Sequence, residues 1–423
     1  MDHLDPSVSK EENMTKLSTK RDIQSLALLC AFAYFISYVS RINLSAVMVE
    51  VVASGFAPRT TVALALTVNS VTYGCGQLVS GYLGDRHKPQ NIVFTGFLLA
   101  GCINICVGLL PVSAPLVVLW GINGFAQALM WPPIVKILVT HMDNDAYAAS
   151  SVKVSYGGNI GSVAVYLCAP LVITLFSFRG VFLISGILAL AMALTWKLIY
   201  NKKYASVSVS APVPGKKADP VPPTGHFTGG IVALLVIVML TVVLQGALRD
   251  GVASWVPTYI SDVFHLDSSV SILTGAILPV FSILSIAVAN LLYRKVLRNE
   301  MLCSAVIFAV GCVSAVLLFL FSDSSPILSV LFLALLSGSM HGVNLMLTCM
   351  VPPHFARYGR TALVSGTLNS CTYAGAAVST YGIALFTESY GWDGTILLWA
   401  GIALTGTTVC VLILKTWKSF RIT

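Results

Sequence analysis

Residues 26–48 read LALLCAFAYFISYVSRINLSAVM, and residues 231–252 read IVALLVIVMLTVVLQGALRDGV. Each run is long and apolar enough to cross a bilayer, yet the first holds Arg41 and the second Arg249. Arg41 lies 18 positions after Ile23, and Arg249 lies 18 after Ile231. A guanidinium keeps its charge, and at a helix centre in the membrane it costs about 2.5–3.5 kcal/mol on the insertion scale. It is tolerated where it faces an interior cavity and meets an anion. One such arginine in each half predicts an anionic substrate handled at a pseudo-symmetric centre.

The remaining composition agrees. Of 423 residues, 56% are hydrophobic and 10% charged, against about 25% charged in ordinary soluble chains. That excludes a soluble globular enzyme. The net charge of +8 is scattered over short loops, which excludes a nucleic-acid partner. Asp2, Asp5, Lys10, Glu11 and Glu12 precede any apolar run, so a polar cytoplasmic tail without a cleavable signal is expected at 1–22. The ten cysteines form no C-x-x-C pair. No disulfide, metal or cofactor is expected, and no nucleophile–base pair points to catalysis.

At roughly 20 apolar residues per crossing, the spans fall at 23–50, 62–83, 91–110, 115–139, 152–176 and 181–200. A second set falls at 228–260, 270–292, 302–322, 327–350, 361–386 and 395–416. The fold class expected is all-α and polytopic, with twelve transmembrane helices in two six-helix bundles, 23–200 and 228–416. A Ser-, Pro-, Gly- and Lys-rich linker is expected at 201–227, and a C-terminal tail at 417–423. With both termini cytoplasmic, 21 of the 25 Lys and Arg lie on that face. Only Arg59 and Arg179 fall outside, and Arg41 and Arg249 are in the membrane.

The halves echo each other. Asn123-Gly124 recurs as His341-Gly342, Pro132-Pro133 as Pro352-Pro353, and Gly161 as Gly375, the last pair each followed by an aromatic, glycine-rich turn. Duplicated bundles holding substrate between them are expected. Continuous rather than alternating apolar runs exclude a β-barrel.

Three local patterns bear on chemistry. Gly81-Tyr82-Leu83-Gly84-Asp85-Arg86-His87-Lys88 puts an acid among bases in the turn after span two, with Lys136 as a candidate partner for Asp85. The matching turn after span eight, Tyr293-Arg294-Lys295, has no acid. Tyr34, Tyr38 and Arg41, at i, i+4 and i+7, share one helix face, and Tyr73 lies in a glycine-rich stretch of span two. His341 and Asn344 lie at i, i+3 on span ten, where each could bind substrate or another helix. Asp250 follows Arg249, either to neutralise it or to face a neighbouring helix.

The turn after span two resembles the G-x-x-x-D-R-x-x-[RK] loop of the major facilitator superfamily. More specifically, Tyr34-x-x-x-Tyr38-x-x-Arg41-x-Asn43, Asn123-Gly124-x-x-Gln127-x-x-x-Trp131-Pro132-Pro133-x-x-Lys136 and Leu248-Arg249-Asp250-Gly251-x-x-x-Trp255-x-Pro257-x-Tyr259 resemble the organophosphate:phosphate antiporter family. The resemblance reaches Tyr390-Gly391-Trp392-Asp393-Gly394. It implies exchange of a phosphorylated metabolite, of the sugar-phosphate or glycerol-phosphate type, for inorganic phosphate, with Arg41 and Arg249 gripping the phosphoryl group. It also implies that Tyr34, Tyr38, Tyr73, Trp131 and Tyr373 line the cavity, with Asn159 and His341 as further candidates. Asp85, Arg86 and Lys136 are the candidate gate. The chain departs from the family pattern at Ile42 and Gln77, where lysine occurs, at Gly158, where histidine occurs, and in an uncharged span eleven.

The expectation is a monomeric exchanger in a cell membrane, of the bacterial inner-membrane kind. Two other readings stay open. One is proton- or sodium-coupled symport of a carboxylate or sulfonate, for which Asp250 is the available intramembrane acid. The other is a transporter-like sugar-phosphate sensor.

Overall fold

The computed structural model describes residues 17, 19–204, 228–265, 278–321 and 324–422. Most of the N-terminal tail, most of the 201–227 linker and the first part of span eight lie outside the described residues.

The regular structure of the described residues is all helical, as a bilayer requires of any spanning segment whose backbone groups must be satisfied internally. In order come α1 (Lys20–Ala53), α2 (Arg59–Arg86), α3 (Pro89–Leu109), α4 (Leu116–Ala128), α5 (Trp131–His141) and α6 (Asn144–Lys203). Then follow α7 (Gly229–Gly246), a π-helical segment (Ala247–Gly251), α8 (Val252–Phe264), α9 (Leu278–Leu292) and a second π segment (Tyr293–Leu297). The remainder is α10 (Glu300–Leu320), α11 (Pro326–Asn344), a π segment (Leu345–Met350), a 3₁₀ turn (Pro352–Tyr358), α12 (Thr361–Leu412) and α13 (Leu414–Ile422). Asp143 caps α6 by accepting from the Ala146 amide at 2.8 Å, and Asn299 caps α10 through the Leu302 amide at 3.0 Å.

Ten helices among the described residues are long and apolar enough to cross a membrane. One of them, α6, has 60 residues, about 90 Å if straight, far more than one crossing. It turns at Ser177 (φ 61°) and supplies spans five and six. The α12 helix turns in the same way at Gly391 (φ 67°) and supplies spans eleven and twelve. Exposed rows such as Leu167, Leu171 and Leu175, each more than 60% accessible, suit acyl chains and would be costly in water.

The described residues form two units, one of residues up to 204 with 355–366 and one of residues 228–354 with 367–422. Among the described residues the chain passes from one unit to the other at His354–Phe355, in the 3₁₀ turn, and again at Gly366–Thr367, inside α12. Within the first unit, Trp120 meets the Phe182 ring edge-on at 5.7 Å in a core with Leu44, Val47 and Val62.

Duplication shows in the packing of each unit. Ser177 and Gly391 are 214 residues apart, as are Gly161 and Gly375. A Cβ on Gly161 would meet the Phe35 carbonyl oxygen at 2.6 Å, and one on Gly375 would collide with the carbonyl of Val243. Phe35 and Val243 each stand six positions before their half's arginine. In both units, therefore, a glycine brings two backbones together beside the arginine-bearing helix. The double prolines also mark breaks: α4 yields to α5 just before Pro132-Pro133, and the π segment after α11 ends just before Pro352-Pro353.

Candidate substrate site

In the first unit, α1 carries Tyr34, Tyr38 and Arg41 on one face, as their spacing predicts. The Arg41 guanidinium carbon lies 3.7 Å from the Tyr73 ring centroid and 5.5 Å from that of Tyr38. A cation over a π face is attracted by the ring quadrupole, so the two tyrosines help to hold the guanidinium in place. Tyr34 meets Tyr38 and Trp131, both with ring centroids 5.1 Å apart. Two aromatic candidates thus meet Arg41, and Tyr34 and Trp131 extend the cluster from Tyr38.

Gly158 explains one departure from the family pattern. A Cβ there would come within 2.9 Å of Tyr38 and 3.0 Å of Tyr34. The aromatic pair occupies the room a histidine would need. Asn159 gives its amide to the Ser155 carbonyl one turn earlier on its own helix, at 3.1 Å.

Behind Arg41 lies a buried polar network that reading the residues one at a time missed. Asn43 donates to the Asn104 side-chain oxygen at 2.7 Å, and Asn104 donates to the Ser40 and Ala100 carbonyls at 3.0 and 2.9 Å. Asn123 donates to the same Ser40 carbonyl at 3.1 Å. Gln127 accepts from Ser37 at 2.7 Å and donates to the Ser40 hydroxyl at 2.9 Å. All of these side chains are buried, where an unmatched amide is costly and a matched set fixes helix register. The network locks α1, α3 and α4 together within a turn of Arg41. Asn43, Asn123 and Gln127 stood in the quoted motifs; amides recurring in apolar spans were the available signal.

In the second unit, Arg249 sits on the π segment, a winding common at functional sites. Its Nε and one Nη each donate to an Asp250 oxygen at 2.7 Å, a bidentate pair. That answers the question sequence left open about Asp250. The Tyr373 ring centroid lies 5.9 Å from the guanidinium carbon, and His341 lies on α11, four residues after Ser337. Ser337 donates to the Arg249 carbonyl at 2.8 Å and Ser379 to that of Ala247 at 2.9 Å. Four positions before Arg249, Gln245 donates to the Met340 carbonyl at 3.1 Å and accepts from Asn344 at 3.4 Å. Ser37 stands four positions before Arg41 and bonds to span four, so the two arginine helices are braced alike.

The candidate gate lies in the first unit. Asp85 Oδ1 accepts from the Ala362 amide at 3.0 Å and is 3.3 Å from Lys136 Nζ; its Oδ2 accepts from the Leu363 amide at 2.8 Å. These amides belong to the first turn of α12, where N–H groups lack helical partners and the dipole favours an anion. A Cβ on Gly81 would meet the Ala362 carbonyl at 2.6 Å, so that glycine lets the turn approach. Arg86 stacks on Tyr82, with 4.1 Å between guanidinium carbon and ring centroid.

The acid absent from the turn after span eight is supplied by Glu300, which sequence reasoning missed. It opens α10, is fully buried, and accepts from Tyr293 Oη at 2.8 Å.

Residues 30–380 match the family model described as Major Facilitator Superfamily. A probable hexose phosphate transport protein of Chlamydia pneumoniae is 23% identical over 82% of this chain and 81% of its own length. The glycerol-3-phosphate transporter of Haemophilus influenzae is 21% identical over 88% of this chain and 86% of its own. Some matches are shorter: that to the probable hexose phosphate transport protein of Chlamydia muridarum, 28% identical, spans 38% of this chain and 35% of the relative. Among solved structures, a bacterial homologue of the iron transporter ferroportin, in an outward-facing state, superposes with TM-score 0.71 at 12% identity over 93% of this chain and 99% of its own. The proton:xylose symporter XylE gives 0.68 at 11% identity over 93% of this chain and 95% of its own. Such identities speak for the fold alone. A multi-pass membrane transporter and not an enzyme, the chain belongs to the Major Facilitator Superfamily, with curated relatives named for hexose-phosphate and glycerol-3-phosphate transport.

Proposed function

We propose that this transporter exchanges an organic phosphate for inorganic phosphate by alternating access. The observation that carries the reading is the equivalent placing of Arg41 and Arg249, each beside a tyrosine and each braced by hydrogen bonds to the next helices of its own unit. A phosphate monoester carries about −1.5 to −2 charges near neutral pH and offers several acceptor oxygens, which suits planar guanidinium forks. In this reading an uncompensated guanidinium in each half disfavours closure when no anion is bound, and phosphate or its ester supplies the compensating charge. Closure is then open mainly to the loaded transporter, which makes exchange obligatory. The relatives named for hexose phosphate and glycerol 3-phosphate support a phosphate ester as the organic partner.

Asp250 favours a second reading. Its bidentate hold on Arg249 could be released by protonation, which would suit proton-coupled symport of an organic anion. Uptake of labelled phosphate into proteoliposomes separates the two. Exchange predicts uptake only with phosphate inside, and uptake driven by an imposed proton gradient into phosphate-free vesicles would replace exchange with symport.

A further inference from the structure

Glu300 has no role in the site described above, yet four side chains converge on it. Its Oε1 accepts from Tyr293 Oη at 2.8 Å and His354 Nε2 at 3.0 Å. Its Oε2 accepts from Trp417 Nε1 at 2.8 Å and lies 3.3 Å from Arg421 Nη1. The carboxylate is 0% exposed. A buried charge is strongly unfavourable unless its lone pairs are filled, and here two oxygens meet four donors.

The donors come from separate places: the π segment ending span eight, the 3₁₀ turn after span ten, and α13. Trp417 and Arg421 stand one helical turn apart, so α13 presents both on one face. Trp417 is fully buried and meets the His354 ring edge-on at 5.4 Å. Arg421 also donates to the Arg298 carbonyl at 2.7 Å. The stretch 417–423, expected as a tail, is mostly helix fastened to this carboxylate.

His354 is the last residue of the second unit before the boundary, and Phe355–Gly366 belongs to the first. The turn is held on both sides by carboxylates: Glu300 holds His354, and Asp85 holds the amides of Ala362 and Leu363. Between the anchors run seven residues, 355–361. They include Gly359, whose φ of +64° is left-handed and whose Cα faces open space.

We propose that Glu300 is a positioning residue of the transport cycle: the fixed anchor of a strap, residues 355–361, that hinges at Gly359 while the hold of Asp85 on the far end is made and released. An alternating cycle is required, but no particular substrate, so failure of phosphate exchange would leave the proposal standing.

Amide hydrogen exchange on the full-length protein in nanodiscs tests it without ligand. Asp85→Asn should speed exchange at 355–363 and leave 414–421 protected. Glu300→Gln should speed exchange at 414–421 about tenfold or more, as expected for losing a charge-assisted hydrogen-bond set. If Glu300→Gln fails to insert, Trp417→Phe removes one donor, keeps an aromatic ring and should loosen the same peptides. Gly359→Pro, which forbids positive φ, should slow counterflow of labelled inorganic phosphate without changing equilibrium phosphate binding. Loosening of 414–421 by Asp85→Asn, or unchanged protection there in both Glu300→Gln and Trp417→Phe, overturns the anchor. Undiminished counterflow in Gly359→Pro overturns the hinge.

Discussion

Arg249 and Asp250, neighbours in sequence, form a bidentate pair in which both guanidinium–carboxylate bonds measure 2.7 Å. Consecutive side chains on an α-helix point about 100° apart; these two converge on the π turn Ala247–Gly251. The pair places a built-in anion where the proposal needs an external one. Asp250 is about one-third exposed and Arg249 only 11%, so the carboxylate is the more accessible of the two.

Asp250→Asn therefore removes a competitor for Arg249. Phosphate–phosphate exchange should persist, with half-saturation reached at a several-fold lower phosphate concentration. Flux measured against phosphate concentration checks this. Loss of gradient-driven accumulation with counterflow intact would instead assign Asp250 to proton coupling.

Gly158 gives a test of the aromatic cluster. Gly158→Ala puts a methyl group within 3.0 Å of both Tyr34 and Tyr38. Overpacking of this kind costs about 1–3 kcal/mol, so the melting temperature in detergent should fall and exchange should slow. Adding Tyr34→Ala should recover most of the lost stability. An unchanged melting temperature in the single variant would place the tyrosines elsewhere.

The spans and their pairing were legible because continuous apolar runs, double prolines and matching glycines are local signals. The tyrosine face of α1 was legible for the same reason, since i, i+4, i+7 spacing needs no tertiary knowledge. The asparagine network was not: Asn43, Asn104 and Asn123 are 61 and 19 positions apart along the chain, and only packing joins them. Glu300 escaped because its counterpart was sought inside the turn after span eight. It lies at the start of span nine, and its partners His354 and Trp417 stand 54 and 117 residues further on.

Asn104→Leu tests whether the network supports Arg41. It takes the Asn104 partner from Asn43 Nδ2 and Asn123 Oδ1, while the Ser40 carbonyl keeps the Asn123 amide, at about 1–3 kcal/mol for each buried group left unmatched. Thermal unfolding should show a clear loss, and exchange should fall further than in a variant of matched stability altered at the lipid-facing Leu171. Equal exchange at equal stability would reduce the network to packing.

Asp85→Asn gives up the ion pair with Lys136 and the charge at the start of α12. Exchange should slow several-fold while equilibrium affinity stays within about twofold, because a group away from the ligand shifts conformational populations without touching it. Binding and flux on one preparation distinguish this from a direct role.

Replacing each arginine by lysine is the most direct measurement. Lysine keeps the charge of Arg41 or Arg249 and loses the planar fork that grips two oxygens. Counterflow of labelled phosphate should fall to near background in both Arg41→Lys and Arg249→Lys, with each protein inserted and folded as judged by melting in detergent. Counterflow near the parent rate in either variant would contradict the two-arginine account.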